Sequence, residues 1–220
     1  NKKNEIINYE MQKKLIIACD GGAASGKSTG AKLISKKYKL LLINSGLYYR
    51  YASCLVLENR PKNITKFLQK KLNEISYKNI SKLDIYSQKI SKYVPILAQR
   101  KSVRKIIDKL QQKIIKSNNR ICIEGRDIAS KVLNKNPRYD VAFYFKCNLK
   151  VASFRRWHDL KKKISLNEVK KTLRARTKID KNRAHSPLVR VKDSILIQSD
   201  KLNKAQMLAK MINTINKKIK

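Results

Sequence analysis

Acidic residues are scarce: 15 Asp and Glu face 53 Lys and Arg in a chain of 220, a formal net charge of +38. Such a chain attracts polyanions strongly at low salt, so nucleic-acid binding has to be weighed from the outset. The lysines are spread along the whole length, however, and no basic-region, zinc-finger or RNP-type motif accompanies them. A solvated lysine surface is the better reading, with no specific nucleic acid as partner. Cysteine is sparse too. Cys19, Cys54, Cys122 and Cys147 form no C-x-x-C pair, and two of them lie in apolar strand-like runs, which favours buried reduced thiols over a metal centre or disulfides. His158 and His185 stand apart without ligand partners, so neither suits a metal or a catalytic base. No apolar run approaches the roughly 18 residues of a membrane helix. Asn1 to Lys14 is polar and charged, without the apolar segment of a secretory signal. The expectation is a cytoplasmic protein with no membrane partner, in which residues 1–14 are an N-terminal extension and Met11 offers an internal start.

What is present begins with size: 220 residues at 42% hydrophobic content can bury one substantial core and carry a small insertion or lid. The informative stretch is Leu15 to Gly30. Leu15 to Ala18 has the length of a buried strand, and Gly21 to Ser28 fits the spacing G-x-x-x-x-G-K-[ST] of a phosphate-binding loop. That loop needs small residues because its backbone N–H groups must close around a pyrophosphate. Gly21, Gly22, Ala23, Ala24 and Gly26 meet the demand, with Ser25 and Thr29 completing the nucleotide-binding run. Lys27 is expected against the β- and γ-phosphates, Ser28 on Mg²⁺, and the following helix with its positive end toward the anion. The alternative is a Gly-rich turn with an incidental lysine, and the flanking strand and helix speak against it.

Further along, Lys27 to Tyr38 reads as helix, Leu40 to Ile43 as strand and Leu47 to about Glu58 as helix, an alternation that predicts a parallel sheet covered by helices. Residues from about 60 to 93 read as an insertion. There Ile64 to Leu72 is helical, and the alternating pieces Ile75 to Ile80 and Leu83 to Ser87 suggest a small β-ribbon. Pro95 is expected to open a long amphipathic helix to about Lys116. Ile121-Cys122-Ile123 is a third strand ending in the charged cluster Glu124-Gly125-Arg126-Asp127, at the strand end where open α/β sheets bind ligands. Tyr139 to Cys147 gives a fourth strand. Two helices follow, Leu149 to Lys162 with Arg155 and Arg156, and Leu166 to Ile179 with Arg174 and Arg176. They suit a mobile lid over a triphosphate, spanning about 155 to 183, or else two solvated basic helices. Ser194 to Ile197 is the last strand and Leu202 to Ile219 the closing helix.

Asn44-Ser45-Gly46-Leu47-Tyr48-Tyr49-Arg50, Glu124-Gly125-Arg126-Asp127, and Arg176-x-x-x-Asp180-x-x-Arg183 followed by Ser186-Pro187-Leu188 together resemble the bacterial cytidylate kinases, in that family's order. The resemblance covers nearly everything from Leu15 onward. It implies a nucleoside monophosphate kinase fold: a parallel sheet flanked by helices, with a nucleotide-binding insertion and an arginine-bearing lid. It also implies transfer of the ATP γ-phosphoryl group to CMP or dCMP by a monomer using Mg²⁺. Carried over by motif, Ser45, Arg50 and Arg126 hold the acceptor phosphate, Arg176 and Asp180 the ribose, and Arg104, Asp127 and Arg183 the cytosine edge. Lys27, Arg126, Arg155 and Arg156 act on the transferring group. No general base is assigned, because the acceptor phosphate is already ionised. Two departures stand out: Pro95 occupies the place of a base-contacting serine, and the insertion is abbreviated. The rival reading from another class is a basic P-loop protein acting with RNA or DNA, which predicts polymer-stimulated hydrolysis instead of transfer.

Overall fold

A computed structural model describes residues 13–219. Five parallel strands form one sheet in the order β2-β3-β1-β4-β5. They are β1 (Leu15–Gly21), β2 (Leu41–Asn44), β3 (Arg120–Gly125), β4 (Val141–Lys146) and β5 (Ile195–Gln198). β1 is central, pairing with β3 on one side (Ile16 opposite Ile121) and β4 on the other (Ile17 opposite Val141). Every residue of β1 is buried, as a strand covered on both faces must be. Side chains alternate between the two faces: Ile16 and Ala18 enter one core with Ile43, Ile121 and Ile123, whereas Leu15, Ile17 and Cys19 enter the other with Val141, Phe143 and Phe145.

The helices divide accordingly. α1 (Lys27–Tyr38) and α9 (Lys204–Lys218) close the second face through Ile34, Met207, Met211 and Ile215. α2 (Ser45–Asn59), α3 (Ile64–Asn73), α4 (Tyr77–Ile80), α5 (Gln88–Leu97) and α6 (Lys101–Lys116) cover the first. A π-helical turn, Ile128–Val132, follows β3. α7 (Leu149–Asp159) and α8 (Leu166–Asn182) pack on each other through a separate small cluster of Ala152, Val169 and Leu173, so their shared core is distinct from that of the sheet.

Two expectations are corrected here. Residues 75–87 form no β-ribbon: Ser76 caps the single helical turn α4 by accepting from the Asn79 N–H at 3.3 Å, and Leu83 to Ser87 is irregular chain running to the next helix. Pro95 does not open a helix either. Ser87 caps α5 by accepting from the Ile90 N–H at 3.2 Å, which places Pro95 inside that helix, and α6 begins separately at Lys101. The cysteines are free thiols, with Cys19 and Cys122 buried and their sulfurs 3.8 Å apart. Among the described residues no helix is long and apolar enough to cross a membrane. Met11 and most of the 1–14 stretch lie outside the described residues.

Candidate active site

The loop between β1 and α1 sits at the carboxyl edge of the sheet, beside the ends of β3 and β4 that flank β1, where open α/β sheets bind ligands. Gly26 forms the helix N-cap at φ +81°, and a Cβ there would come within 3.0 Å of Ser199. No side chain caps α1, so its first N–H groups stay available to an anion. At Gly21 a Cβ would meet the Phe145 carbonyl oxygen at 2.6 Å, which holds this position to glycine. Ser25 Oγ is buried inside the loop without a hydrogen-bond partner among the described residues.

Above the loop lies a cavity of about 1050 Å³. Its lining contains loop residues Ala23 to Thr29 together with Arg50 from α2, Arg126 after β3, Arg155 and Arg156 from α7, and Arg176 from α8. Glu124 and Asp159 are the acidic groups on that lining. Lys27 Nζ donates to the Gly22 carbonyl at 3.4 Å and stands 4.0 Å from Glu124 Oε2. Ser28 Oγ donates to the same carboxylate at 2.6 Å. Burial pulls the Lys27 ammonium down to about 7, with Arg126 pushing the same way and Glu124 opposing. Burial, then Arg126, lowers Arg176 to about 9, and burial brings Arg50 down to about 10. Cations crowded this closely are held at a cost that an incoming polyanion relieves.

Behind the cavity wall runs a buried ionic network. Asp180 on α8 accepts from Arg126 Nε at 2.9 Å and lies 4.0 Å from Arg176 Nε and 3.5 Å from Arg183 Nη1. Burial alone would raise its carboxyl, but Arg126 and Arg176 outweigh that and hold it below its ordinary value. Asp127 joins Arg104 of α6 to Arg183, whose Nη2 is 3.4 Å away. Arg183 in turn donates to the Ser186 carbonyl at 2.5 Å.

The motif residues thus divide into two sets. Arg50, Arg126, Arg155, Arg156 and Arg176 reach the cavity with Lys27 and Ser28, whereas Ser45, Arg104, Asp127, Asp180 and Arg183 are buried in the layer that supports it. Three contributors escaped the sequence. Glu124 was visible only as part of a charged cluster; its contact with Ser28 follows from β3 lying beside β1. Asp20 accepts from the Ile128 and Ala129 N–H groups, each at 2.8 Å, tying the loop strand to the turn that carries Arg126 and Asp127. Ser199 accepts from Arg155 at its hydroxyl (3.1 Å) and carbonyl (2.8 Å), anchoring α7 beside Gly26.

The profile of the cytidylate kinase family matches residues 17–217. The chain belongs to that family. It is 32% identical to a cytidylate kinase of Clostridium botulinum (strain Okra / Type B1), covering 91% of this chain and 97% of that one. It is also 34% identical to a bifunctional pantoate ligase/cytidylate kinase of Prochlorococcus marinus (strain AS9601) over 96% of its own length, and there it spans 45% of the relative. Among solved structures, an uncharacterized protein from Eubacterium ventriosum ATCC 27560 superposes with a TM-score of 0.57 at 15% identity, covering 93% of this chain and 99% of that one. TT1252 from Thermus thermophilus gives 0.51 at 14%, covering 95% and 100%. Those two likenesses bear on the fold alone.

Proposed function

We propose that this protein transfers the γ-phosphoryl group of ATP to CMP or dCMP, giving ADP and the corresponding diphosphate. The observation that carries the reading is the convergence of Arg50, Arg126, Arg155, Arg156 and Arg176 on a cavity floored by the phosphate loop, with few acids to offset them. Phosphoryl transfer between two nucleotides brings together more negative charge than water tolerates at close range, and catalysis rests on positioning and on clamping the equatorial oxygens. Lys27 and the α1 N–H groups hold the donor phosphates. Arg156, with Arg155 anchored to Ser199, meets the transferring group from α7. Arg50 and Arg126 hold the acceptor phosphate, and Arg176 the acceptor ribose. Ser45, Asp180 and the Arg104–Asp127–Arg183 set act on the acceptor nucleotide as the family motif implies, from the layer behind.

Ser28 and Glu124 offer a hydroxyl and a carboxylate 2.6 Å apart, hard oxygen ligands of the kind Mg²⁺ takes, with phosphates and water completing its shell. The ion would neutralise charge on the β- and γ-phosphates. The insertion (about 60–93) and the lid (about 155–183) form the movable walls, and the working unit is a monomer. A coupled ADP-release assay with Mg²⁺–ATP and each of CMP, dCMP, UMP and AMP at moderate salt tests the reading. Turnover strongest with CMP or dCMP is expected. Hydrolysis that needs RNA or DNA, with no transfer to any monophosphate, would favour the polymer-dependent alternative.

A further inference from the structure

The outer face of α7 carries three aromatic rings that the cavity does not use. Phe154, Trp157 and His158 recur at helical spacing, and their rings meet: Phe154 stands 4.6 Å from His158 and 5.9 Å from Trp157, and Trp157 stands 5.4 Å from His158, centroid to centroid. Aromatics at such spacing normally enter a core, yet Phe154 is 51% exposed and His158 is exposed beside it. Trp157 is half-buried, its Nε1 donating to the Ile164 carbonyl at 2.8 Å. None of the three lines the cavity.

Lysines bracket the rings. Lys150 precedes Phe154 by one turn on the same stripe, and Lys161, Lys162 and Lys163 follow the helix, all four exposed. Lys161 and Lys162 both take the left-handed backbone, at φ +51° and +58°, which costs energy in any residue but glycine. Their N–H groups close the turn onto the His158 and Trp157 carbonyls at 2.8 and 3.0 Å. The basic run is thereby folded back on the aromatic one, with the Lys162 ammonium 5.0 Å from the centre of the Trp157 ring. From Lys150 to Lys163 the one acid is Asp159, and it lines the cavity instead. Lysines that look evenly spread along the sequence are here gathered around exposed rings, and a merely solvated lysine surface gives no account of the rings.

We propose that this face docks single-stranded nucleic acid, independently of the transfer reaction. The exposed rings offer stacking planes to unpaired bases, and lysines at both ends of the row meet the phosphates. Every base has a face to stack, so docking tolerates any sequence; a duplex, whose bases are already stacked inward, offers only its phosphates. An anionic membrane would also meet the lysines, but the α7 row projects a single large apolar side chain, Phe154, because Trp157 is tied to Ile164 and covered by Lys162.

Trp157 is the only tryptophan in the chain, so its fluorescence reports this face and no other. A short oligouridine titrated into the full chain at several KCl concentrations should quench it, and a duplex of the same length should leave it unchanged. Phe154→Ala should weaken oligouridine binding about tenfold without altering its salt dependence. Lys162→Gln should instead reduce the slope of log affinity against log salt by about 0.7. Transfer activity should be the same in both variants as in wild type, since neither residue lines the cavity. Oligouridine binding that ignores Phe154→Ala and leaves Trp157 unquenched would overturn the proposal and reduce the attraction to net charge, as would equal quenching by the duplex. A Trp157 response to phosphatidylserine vesicles with none to oligouridine would overturn it in favour of a membrane surface.

Discussion

Replacing Lys27 by Met should stabilise the ligand-free protein while abolishing transfer. The lysine is held at about 7 where an ordinary lysine stands at 10.5. At about 1.4 kcal/mol per decade this is roughly 5 kcal/mol of disfavoured charge, an upper limit because local relaxation and water entry reduce it. Methionine keeps the length of the side chain and removes the charge, so a net gain of about 2 kcal/mol or more is expected at pH 7. The sign with pH is fixed by linkage. Below pH 7 the lysine is protonated folded and unfolded alike, and the penalty is complete; between pH 7 and 10.5 the unfolded chain holds a proton that the folded chain lacks, so wild-type stability rises relative to the variant. Urea unfolding of both proteins at pH 6, 7, 8.5 and 10 measures the gap, which should close toward the alkaline end. The same physics predicts that Mg²⁺–ATP binding at pH 8 restores the proton to Lys27, an uptake of close to one proton by calorimetry in buffers of different ionisation heat. A gap constant from pH 6 to 10, or a variant less stable than wild type, would refute the reasoning.

Asp180→Ala frees Arg126 and Arg176 from their shared carboxylate, and it should raise KM for CMP about tenfold or more with little change in KM for ATP; normal acceptor kinetics would remove Asp180 from that role. Asp127→Ala leaves Arg104 buried without a carboxylate and Arg183 with Asp180 as its remaining one, which should cost about 3–5 kcal/mol in chemical denaturation. Arg156→Ala should lower kcat by about 100-fold while CMP binding by calorimetry stays within a factor of about three, the outcome expected of the role proposed for it at the transferring group.

The phosphate loop was legible because it is local: strand, small residues, lysine and helix follow one another without a break, and each backbone demand is met within 16 residues. All five strands were legible for the same reason, as short apolar runs bounded by polar turns. Strand order was not, since β1 acquires its neighbours β3 and β4 from segments about a hundred residues away. The insertion misled because Ile75 to Ile80 runs into the single turn capped by Ser76, and Leu83 to Ser87 is irregular chain leading to the Ser87 cap, both of which mimic period-two alternation. Pro95 misled because proline favours a helix start, and only the Ser87 cap shows that this helix had already begun. The motif arginines and aspartates were legible as a set, but not their division into cavity and support. That division depends on which carboxylate each guanidinium meets: Asp127 draws Arg104 and Arg183 inward, whereas Asp180 leaves Arg126 and Arg176 partly facing the cavity.

Following the label from [γ-³²P]ATP through a single incubation with CMP and Mg²⁺, in the presence and absence of RNA, tests the central claim most directly. Label recovered in CDP, matched by ADP and indifferent to RNA, is the predicted result. Label recovered only as inorganic phosphate, and released only when RNA is present, would contradict it.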